Sequence, residues 1–208
     1  MFSCKLNDTA ELRILEERHA GEIYAAIDCN RARLREWMPW LDSSRGPDDV
    51  KTFIRASLKQ FADNDGLHAG IFVDGIYAGT IGFHGVNWLN RKTSLGYWID
   101  EAFEGRGLMT AAVRALTDHA IGTWKLNRVE IQAAVGNARS RAIPERLGFT
   151  LEGTLRQSGW LYDHFVDLVV YSVLAEEWVL CMNSSGGPLN SDVGRQTSRP
   201  PAPSNVAR

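Results

Sequence analysis

The sequence predicts an α/β fold in which helices pack on one mixed sheet. Segments with the two-residue periodicity of strands alternate with segments whose apolar residues recur every three or four positions, as in helices. The dipeptide Asp74-Gly75 separates two strand-like segments and favours a tight turn, because both residues tolerate positive φ. The chain has 208 residues, of which 44% are hydrophobic, so it can bury the core of one domain.

The first half of the chain contains two predicted helices and three predicted strands. In chain order they are a strand at 12–15, a helix at 20–37, a helix at 50–61, and strands at 67–73 and 76–83. Pro39 stops the first helix and Gly66 ends the second. Because only Asp74-Gly75 separates the last two strands, we expect them to be antiparallel neighbours.

The second half continues the alternation with four more strands and two more helices. In chain order they are a strand at 93–99, a helix at 108–121, a strand at 129–135, a short helix ending at Leu147-Gly148, and strands at 150–157 and 165–174. The prediction is therefore a sheet of seven strands with about four helices on it.

The composition changes at the C-terminal end, in residues 183–208. This segment is rich in Ser, Gly, Asn and Pro and contains almost no large apolar residues. It cannot bury enough surface to offset the entropy of ordering, so we predict a folded domain of residues 1–182 and a disordered tail of residues 183–208. A polyproline ligand around Pro200-Pro201 is the alternative, but the repeated spacing of such ligands is missing.

Charge and cysteine content exclude several classes of function. The formal net charge of -2 is spread over both signs, so we expect neither nucleic acid nor an anionic membrane as a partner. The three cysteines form no Cys-x-x-Cys pair and the histidines lack metal-ligand spacing, which predicts no bound metal. A chain without a secretory or membrane-spanning segment and without a disulfide framework is expected in the cytoplasm.

The most informative segment is the glycine turn Gly105-Arg106-Gly107, between a predicted strand and a predicted helix. Glycines leave the backbone uncovered there, and the first turn of the helix offers unpaired N–H groups to an anion such as phosphate. Leu108 and Met109 stand where a P-loop needs Lys and then Ser or Thr. A dinucleotide site fits poorly, because it needs an acidic residue at the end of the next strand, and Glu130 lies at the start of that strand. An ordinary turn and a coenzyme A pyrophosphate turn both remain open.

Two sequence blocks carry a resemblance to a known family. They are Leu95-Gly96-Tyr97-Trp98-Ile99 leading into Glu104-Gly105-Arg106-Gly107-Leu108-Met109-Thr110, and Asn137-Ala138-Arg139-Ser140 leading into Leu147-Gly148-Phe149. Over residues 10–178 the chain resembles the GNAT superfamily of acetyltransferases, within it the ribosomal-protein N-terminal serine acetyltransferases. The resemblance implies a mostly antiparallel sheet of seven strands that splays apart between its fourth and fifth strands to admit acetyl-CoA.

The resemblance also implies roles for individual residues. The backbone of Trp98 and Ile99 would bind the pantetheine arm, together with Asn137, and Ser140 would lie near the thioester sulfur. The turn that would hold the pyrophosphate comprises Gly105, Arg106, Gly107, Leu108, Met109 and Thr110.

The chain departs from the family pattern at several positions. Glu104 stands where Gln or Arg is usual, and its side chain is expected to point away from the pyrophosphate. Many relatives carry a tyrosine general acid where Pro144 stands, so a tyrosine mechanism is excluded there. Proline cannot donate to the carbonyl of Ser140, which predicts a kink or a late helix start at Ser140 that helps to set its hydroxyl.

Acetyl transfer to an amine requires a neutral nitrogen and a stabilised departing thiolate. An α-amino group has a pKa of about 8, so a strong base is not needed. We predict Ser140 as hydrogen-bond donor or general acid toward the sulfur, although a serine there could instead cap a helix. We predict Glu130 as the base acting through water, with Asp163 and Asp167 as other candidates and an ordinary solvated carboxylate as the alternative for each.

The acceptor site is harder to predict. Trp37 and Trp40 could form an aromatic wall over the acceptor or could close an edge of the core, and His84 and Tyr162 are further candidates to face the acceptor. The predicted reaction is acetyl-CoA-dependent acetylation of a protein N-terminus, of the ribosomal serine or alanine type, by a monomer or homodimer. The alternatives are a small-molecule amine as acceptor, a non-catalytic acyl-CoA sensor, or a nucleotide-binding domain.

Overall fold

A computed structural model describes residues 3–184 of the chain, with side chains as far as Leu180. Its eight strands are β1 Ser3–Lys5, β2 Ala10–Ile14, β3 His68–Val73, β4 Ile76–Asn87, β5 Lys92–Ile99, β6 Arg128–Ala134, β7 Thr150–Leu161 and β8 His164–Leu174. Its α-helices over the described residues are α1 Ala20–Cys29, α2 Arg31–Arg35, α3 Pro47–Ala62, α4 Leu108–Asp118, α5 Ala138–Arg146 and α6 Ala175–Ser184. None of the helices in this part of the chain is long and apolar enough to cross a membrane.

The strands form one sheet in the order β1-β2-β3-β4-β5-β6-β8-β7. Neighbouring strands are antiparallel except β5 and β6, which are parallel. The β5–β6 pairing runs from Lys92 with Arg128 to Leu95 with Ile131, after which the two strands separate. The predicted splay between the fourth and fifth strands is thus confirmed, at strands numbered β5 and β6 because one more strand precedes them.

Both faces of the sheet are covered, which explains why β3 and β4 are mostly buried. One core lies under α4 and includes Ile81, Val113 and Val129. The other lies under α1 and α3 and includes Ile54 and Trp98. Burying a large aliphatic side chain stabilises the fold by about 1.5–3 kcal/mol, so these two layers stabilise the sheet from both of its faces.

The structure corrects the predicted number of elements. The eighth strand is β1, whose three residues pair with β2 and are too few to show a periodicity. The helix predicted at 20–37 is two helices that break at Asn30, where the side-chain Nδ2 donates to the Ala26 carbonyl at 2.9 Å. A further helix, α6, follows the last strand. Apart from residues 183 and 184, which belong to α6, the predicted tail lies outside the described residues.

Candidate active site

A cleft of about 1670 Å³ opens where β5 and β6 separate. The cleft is lined by β1, the ends of β5 and α2, the turn before α4, and one side of α4 and of α5. The sequence-predicted site residues that line it are Trp37, Trp98, Ile99, Gly105, Gly107, Leu108, Met109, Thr110, Asn137 and Ser140. Residues far apart in sequence therefore meet in one cleft, because the sheet divides beside the start of α4.

The glycine turn forms an open, uncovered helix start on one wall of this cleft. Gly105 and Gly107 have φ of +74° and +73°, a left-handed conformation in which a side chain would be strained. No atom lies within 4 Å of where a Cβ on either glycine would be, and no side chain caps α4. The space and the free N–H groups of the first turn therefore fit a phosphate group.

Arg106 does not line the cleft, although it lies between the two glycines. Its Nη2 donates to the carbonyl of Ala102 at 2.9 Å, and its guanidinium lies 5.1 Å from the centroid of the Phe103 ring. Arg146 of α5 does reach the start of α4, where its Nη1 donates to the Thr110 hydroxyl at 2.9 Å.

Glu104 lines the cleft next to the glycine turn, and two arginines compensate its charge. Its carboxylate forms ion pairs at 2.5 Å with Arg33 of α2 and with Arg139 of α5. Arg33 also donates to the carbonyls of Ile99, at 2.6 Å, and of the Asn30 side chain, at 2.9 Å. The Ile99 carbonyl is therefore already engaged, and the sequence analysis missed Arg33, whose partners lie 71 and 66 residues away.

Ser140 lies in the first turn of α5, at the opposite wall from the glycine turn. The helix begins at Ala138, and the side-chain oxygen of Asn137 accepts a hydrogen bond from the Ser140 N–H at 3.1 Å. Asn137 is therefore the cap, and the expected late helix start at Ser140 is wrong. Since the Ser140 hydroxyl does not cap the helix, it is left for another partner.

That hydroxyl lies close to Tyr97, a residue to which the sequence analysis assigned no role. The Tyr97 hydroxyl donates to the Ser140 carbonyl at 3.0 Å and lies 3.4 Å from Ser140 Oγ. Burial raises the pKa of Tyr97 to about 12. The signal that could have pointed to Tyr97 was Pro144, which deprives the Ser140 carbonyl of its donor within the helix.

With this geometry in place, comparison with known families is decisive. The model of the acetyltransferase (GNAT) domain matches residues 10–150, which is more than half of the chain. The chain belongs to the GNAT acetyltransferase family. It is an N-acetyltransferase, as the resemblance of the two sequence blocks implied.

Relatives and solved structures show the same affiliation over almost the whole of their length. The candidate ribosomal N-acetyltransferase YdaF of Bacillus subtilis (strain 168) is 41% identical over 179 residues, which are 86% of this chain and 98% of YdaF. RimL, a ribosomal L7/L12 α-N-protein acetyltransferase solved with coenzyme A, matches with a TM-score of 0.80 at 25% identity, covering 83% of this chain and 98% of that one. The microcin C7 self-immunity acetyltransferase MccE, solved with acetyl-CoA and AMP, matches with a TM-score of 0.78 at 29% identity, covering 82% and 94%.

The other end of the acetyltransferase cleft is bounded by aromatic side chains. The Trp37 ring lies 3.4 Å from where a Cβ on Gly136 would be, so it reaches from α2 to the loop before α5. Tyr162 lies outside the lining of the cleft, but its hydroxyl donates to the Met38 carbonyl at 2.7 Å, and the Arg35 guanidinium stacks 3.9 Å from its ring centroid. The β7–β8 hairpin is thereby attached to the end of α2 that lines the cleft.

Two of the acceptor-site candidates lie elsewhere in the acetyltransferase. Trp40 is 37% exposed and does not line the cleft. His84 does not line it either. Its Nε2 lies 1.8 Å from where a Cβ on Gly96 would be, so the ring covers this glycine, and the resulting desolvation lowers the pKa of His84.

The structure does not bring Glu130 into the cleft. Its carboxylate forms ion pairs with Arg128 at 2.8 Å and Lys92 at 3.5 Å, and Glu130 pairs in register with Ser94 where β5 and β6 are still joined. The cleft opens at the other end of these strands. The two other candidates for the base also lie outside the cleft. Asp163 contacts His164, and Asp167 accepts a hydrogen bond from the Gln157 backbone amide. The carboxylate beside Trp37 in the cleft is that of Glu36.

Proposed function

We propose that the enzyme transfers the acetyl group of acetyl-CoA to the α-amino group of a protein N-terminus, of the type carried by ribosomal proteins. The observation that carries the proposal is that the open glycine turn and the Ser140 hydroxyl line one cleft. The glycine turn fits a phosphate group, and the Ser140 hydroxyl can donate a hydrogen bond at the other side of the same cleft. The names of YdaF and RimL support a ribosomal protein as acceptor.

The residues of the cleft fit coenzyme A in charge and shape. The N–H groups at the start of α4 would bind the pyrophosphate, since Gly105 and Gly107 leave the space in front of them open. Arg146, whose partner is the neutral Thr110 hydroxyl, adds positive charge on the facing helix. The pantetheine arm would then run between β5 and α5 toward Ser140, past Ile99 and Asn137. Acetyl-CoA is thus a cosubstrate, and no metal takes part in this proposal.

When bound, acetyl-CoA supplies a thioester whose carbonyl carbon bonds to the amine nitrogen as the C–S bond breaks and the sulfur leaves with the electron pair. The nitrogen loses one proton and the departing thiolate gains one, so protons balance. Ser140 would donate a hydrogen bond to the sulfur as its charge develops. We retain no role for Glu130. An α-amino group with a pKa of about 8 is partly neutral at pH 7, and its proton passes to water.

Three features of the cleft favour an acceptor chain that enters beside Trp37. Trp37 and Met38 form an apolar wall at this end, and the Glu36 carboxylate would attract an ammonium group. We further propose that the enzyme acts in the cytoplasm as a monomer or homodimer. A small-molecule amine is the second candidate, because MccE, a self-immunity enzyme, matches this chain over 82% of its length.

A thiol-release assay tests the reaction and the acceptor class together. Purified enzyme is mixed with acetyl-CoA and peptides that begin with Ser or Ala, with the same peptides already N-acetylated as matched controls. Release of thiol with the free peptides alone supports the proposal. Faster release with small amines than with any peptide would replace the protein acceptor by a small molecule. Binding of acetyl-CoA without release to any amine would contradict the proposed reaction.

A further inference from the structure

Helix α5 contains a proline in its interior, and this leaves one backbone acceptor unpaired within the helix. Pro144 has no N–H, so it cannot make the helical hydrogen bond to the Ser140 carbonyl. The donor comes from the opposite wall of the cleft, where the Tyr97 hydroxyl lies 3.0 Å from that carbonyl oxygen. Because Tyr97 belongs to β5 and α5 follows β6, the contact links the two sides of the splay.

The same Tyr97 oxygen faces the side chain of Ser140. With its own proton directed to the Ser140 carbonyl, the phenol oxygen is left to accept from Ser140 Oγ, at 3.4 Å. This distance is longer than that of a typical O–H···O hydrogen bond, so the bond is weak. The Ser140 proton therefore has a resting partner that it can leave when a stronger acceptor, such as a developing thiolate, comes within reach.

The position of Tyr97 is fixed and so is its protonation state. Tyr97 pairs in register with Ile81 inside the sheet, so its backbone cannot follow movements of α5. Burial keeps its pKa at about 12, and the hydroxyl stays protonated at any pH at which the enzyme would work. A rigid, neutral donor that contacts two groups of one serine limits the directions in which that serine can point.

We propose that Tyr97 is a positioning residue that acts through Ser140, and that Pro144 makes this possible by freeing the Ser140 carbonyl. Tyr97 fixes the first turn of α5 by its hydrogen bond to the carbonyl and orients the Ser140 hydroxyl toward the cleft. The inference rests on the proposed role of Ser140 as hydrogen-bond donor to the sulfur. It does not depend on which amine accepts the acetyl group.

The test uses Tyr97→Phe, which removes the hydroxyl and keeps the ring. We expect kcat to fall about tenfold, the effect of one hydrogen bond, with KM for acetyl-CoA within about twofold of the wild type. In a Ser140→Ala background the same substitution should change kcat by less than about twofold, because its target is gone. If Tyr97→Phe lowers kcat about tenfold in the Ser140→Ala background as well, the proposal is overturned. It is also overturned if Tyr97→Phe keeps the wild-type kcat while Ser140→Ala lowers it.

A Pro144→Ala background separates positioning from stability. The alanine restores an N–H that can satisfy the Ser140 carbonyl, so Tyr97→Phe should lower the melting temperature less in this background than in the wild type. The loss in kcat should remain, since nothing replaces the contact to Ser140 Oγ. Recovery of both melting temperature and kcat would overturn the proposal and make Tyr97 a merely structural residue. If Ser140→Ala keeps the wild-type rate, the proposed role of Ser140 fails and this inference fails with it, whereas thiol release still tests the reaction itself.

Discussion

Arg33 and Glu104 form an ion pair at 2.5 Å that joins α2 to the turn before α4. Both side chains are about three-quarters buried, and Arg139 contacts the other carboxylate oxygen from α5. The single negative charge of Glu104 thus compensates part of the positive charge of two arginines beside the glycine turn at which we place a pyrophosphate. It holds three elements together and at the same time lowers the positive potential that an anion would meet.

Glu104→Gln should therefore raise the affinity for acetyl-CoA while it lowers the stability of the fold. Because the positive charges of Arg33 and Arg139 would no longer be compensated by a carboxylate, we expect KM for acetyl-CoA to fall about threefold at low salt, and the gain to shrink as salt screens the charges. Glu101→Gln is the matched control, because it removes the same charge at the edge of the cleft without releasing Arg33 and Arg139. Equal effects of the two variants would mean that only the overall charge matters.

Gly107→Ala should weaken the binding of acetyl-CoA much more than it slows the chemical step. Alanine at a φ of +73° costs about 1 kcal/mol, and its Cβ enters the space in front of the helix start. We expect KM for acetyl-CoA to rise at least tenfold with kcat changed less than threefold, measured by initial rates. Gly21→Ala, at an uncrowded position in α1 without positive φ, should leave both constants unchanged. A normal KM in Gly107→Ala would exclude the turn as the pyrophosphate site.

Ser140→Ala should reduce kcat about 100-fold with little change in KM for acetyl-CoA, the usual effect of removing one donor to a developing charge. Its melting temperature should remain close to that of the wild type, because Ser140 does not cap α5. Asn137→Ala removes the actual cap and should cost about 1 kcal/mol of stability, seen in urea denaturation. A stable Ser140→Ala enzyme with full turnover would contradict the role given to this hydroxyl.

Trp37→Ala and Trp40→Ala form a matched pair for the acceptor end. Trp37 lines the cleft and lies against Gly136, whereas Trp40 lies outside it. We expect KM for a peptide acceptor to rise about tenfold or more in Trp37→Ala, which is the usual effect of losing one aromatic contact. In Trp40→Ala this KM should stay within about twofold of the wild type. The measurement is peptide saturation at fixed acetyl-CoA. If Trp40→Ala had the larger effect, the acceptor would approach from another side.

The free energy of unfolding should depend on pH because Glu152 of β7 ionises and pairs with Arg128 of β6. Arg128 and then Ser172 hold the pKa of Glu152 at about 2, below its ordinary value of 4.5. A lowered pKa in the folded state stabilises the protein above the unfolded pKa, and this contribution is lost as the pH falls from about 4.5 through about 2. Glu152→Gln should thus lower the urea midpoint at pH 7 and have a smaller effect at pH 3.5. A difference that grows on acidification would contradict the assignment.

The sequence was informative wherever local pattern determines structure. The Asp74-Gly75 turn, the seven longer strands and the glycine turn before α4 all follow from periodicity or from residues that tolerate positive φ. The division of one predicted helix at Asn30 was not foreseen, because the side chain that marks the break is recognised only by its contacts. The strand at Ser3–Lys5 was missed because three residues carry no periodicity.

The candidate site was predicted only in part, for a different physical reason. Residues of the two motif blocks, such as Gly107 and Asn137, line the cleft because the fold brings the blocks together. Arg33 and Tyr97 act through partners 71 and 43 residues away in sequence, which no local pattern reveals. Glu130 was predicted as the base because it is among the acids nearest to the motif blocks in sequence, but it occupies the joined end of its strand, where it pairs with Arg128.

The short β5–β6 pairing gives the sheet a mechanical weak point. In the part of the chain that the structure describes, β5 and β6 pair over four residues, from Lys92 with Arg128 to Leu95 with Ile131. A ligand that contacts both walls of the cleft would link the two halves of the sheet and so stabilise them together. Its arrival should slow amide hydrogen exchange on both sides of the seam at once, in strands that it never touches.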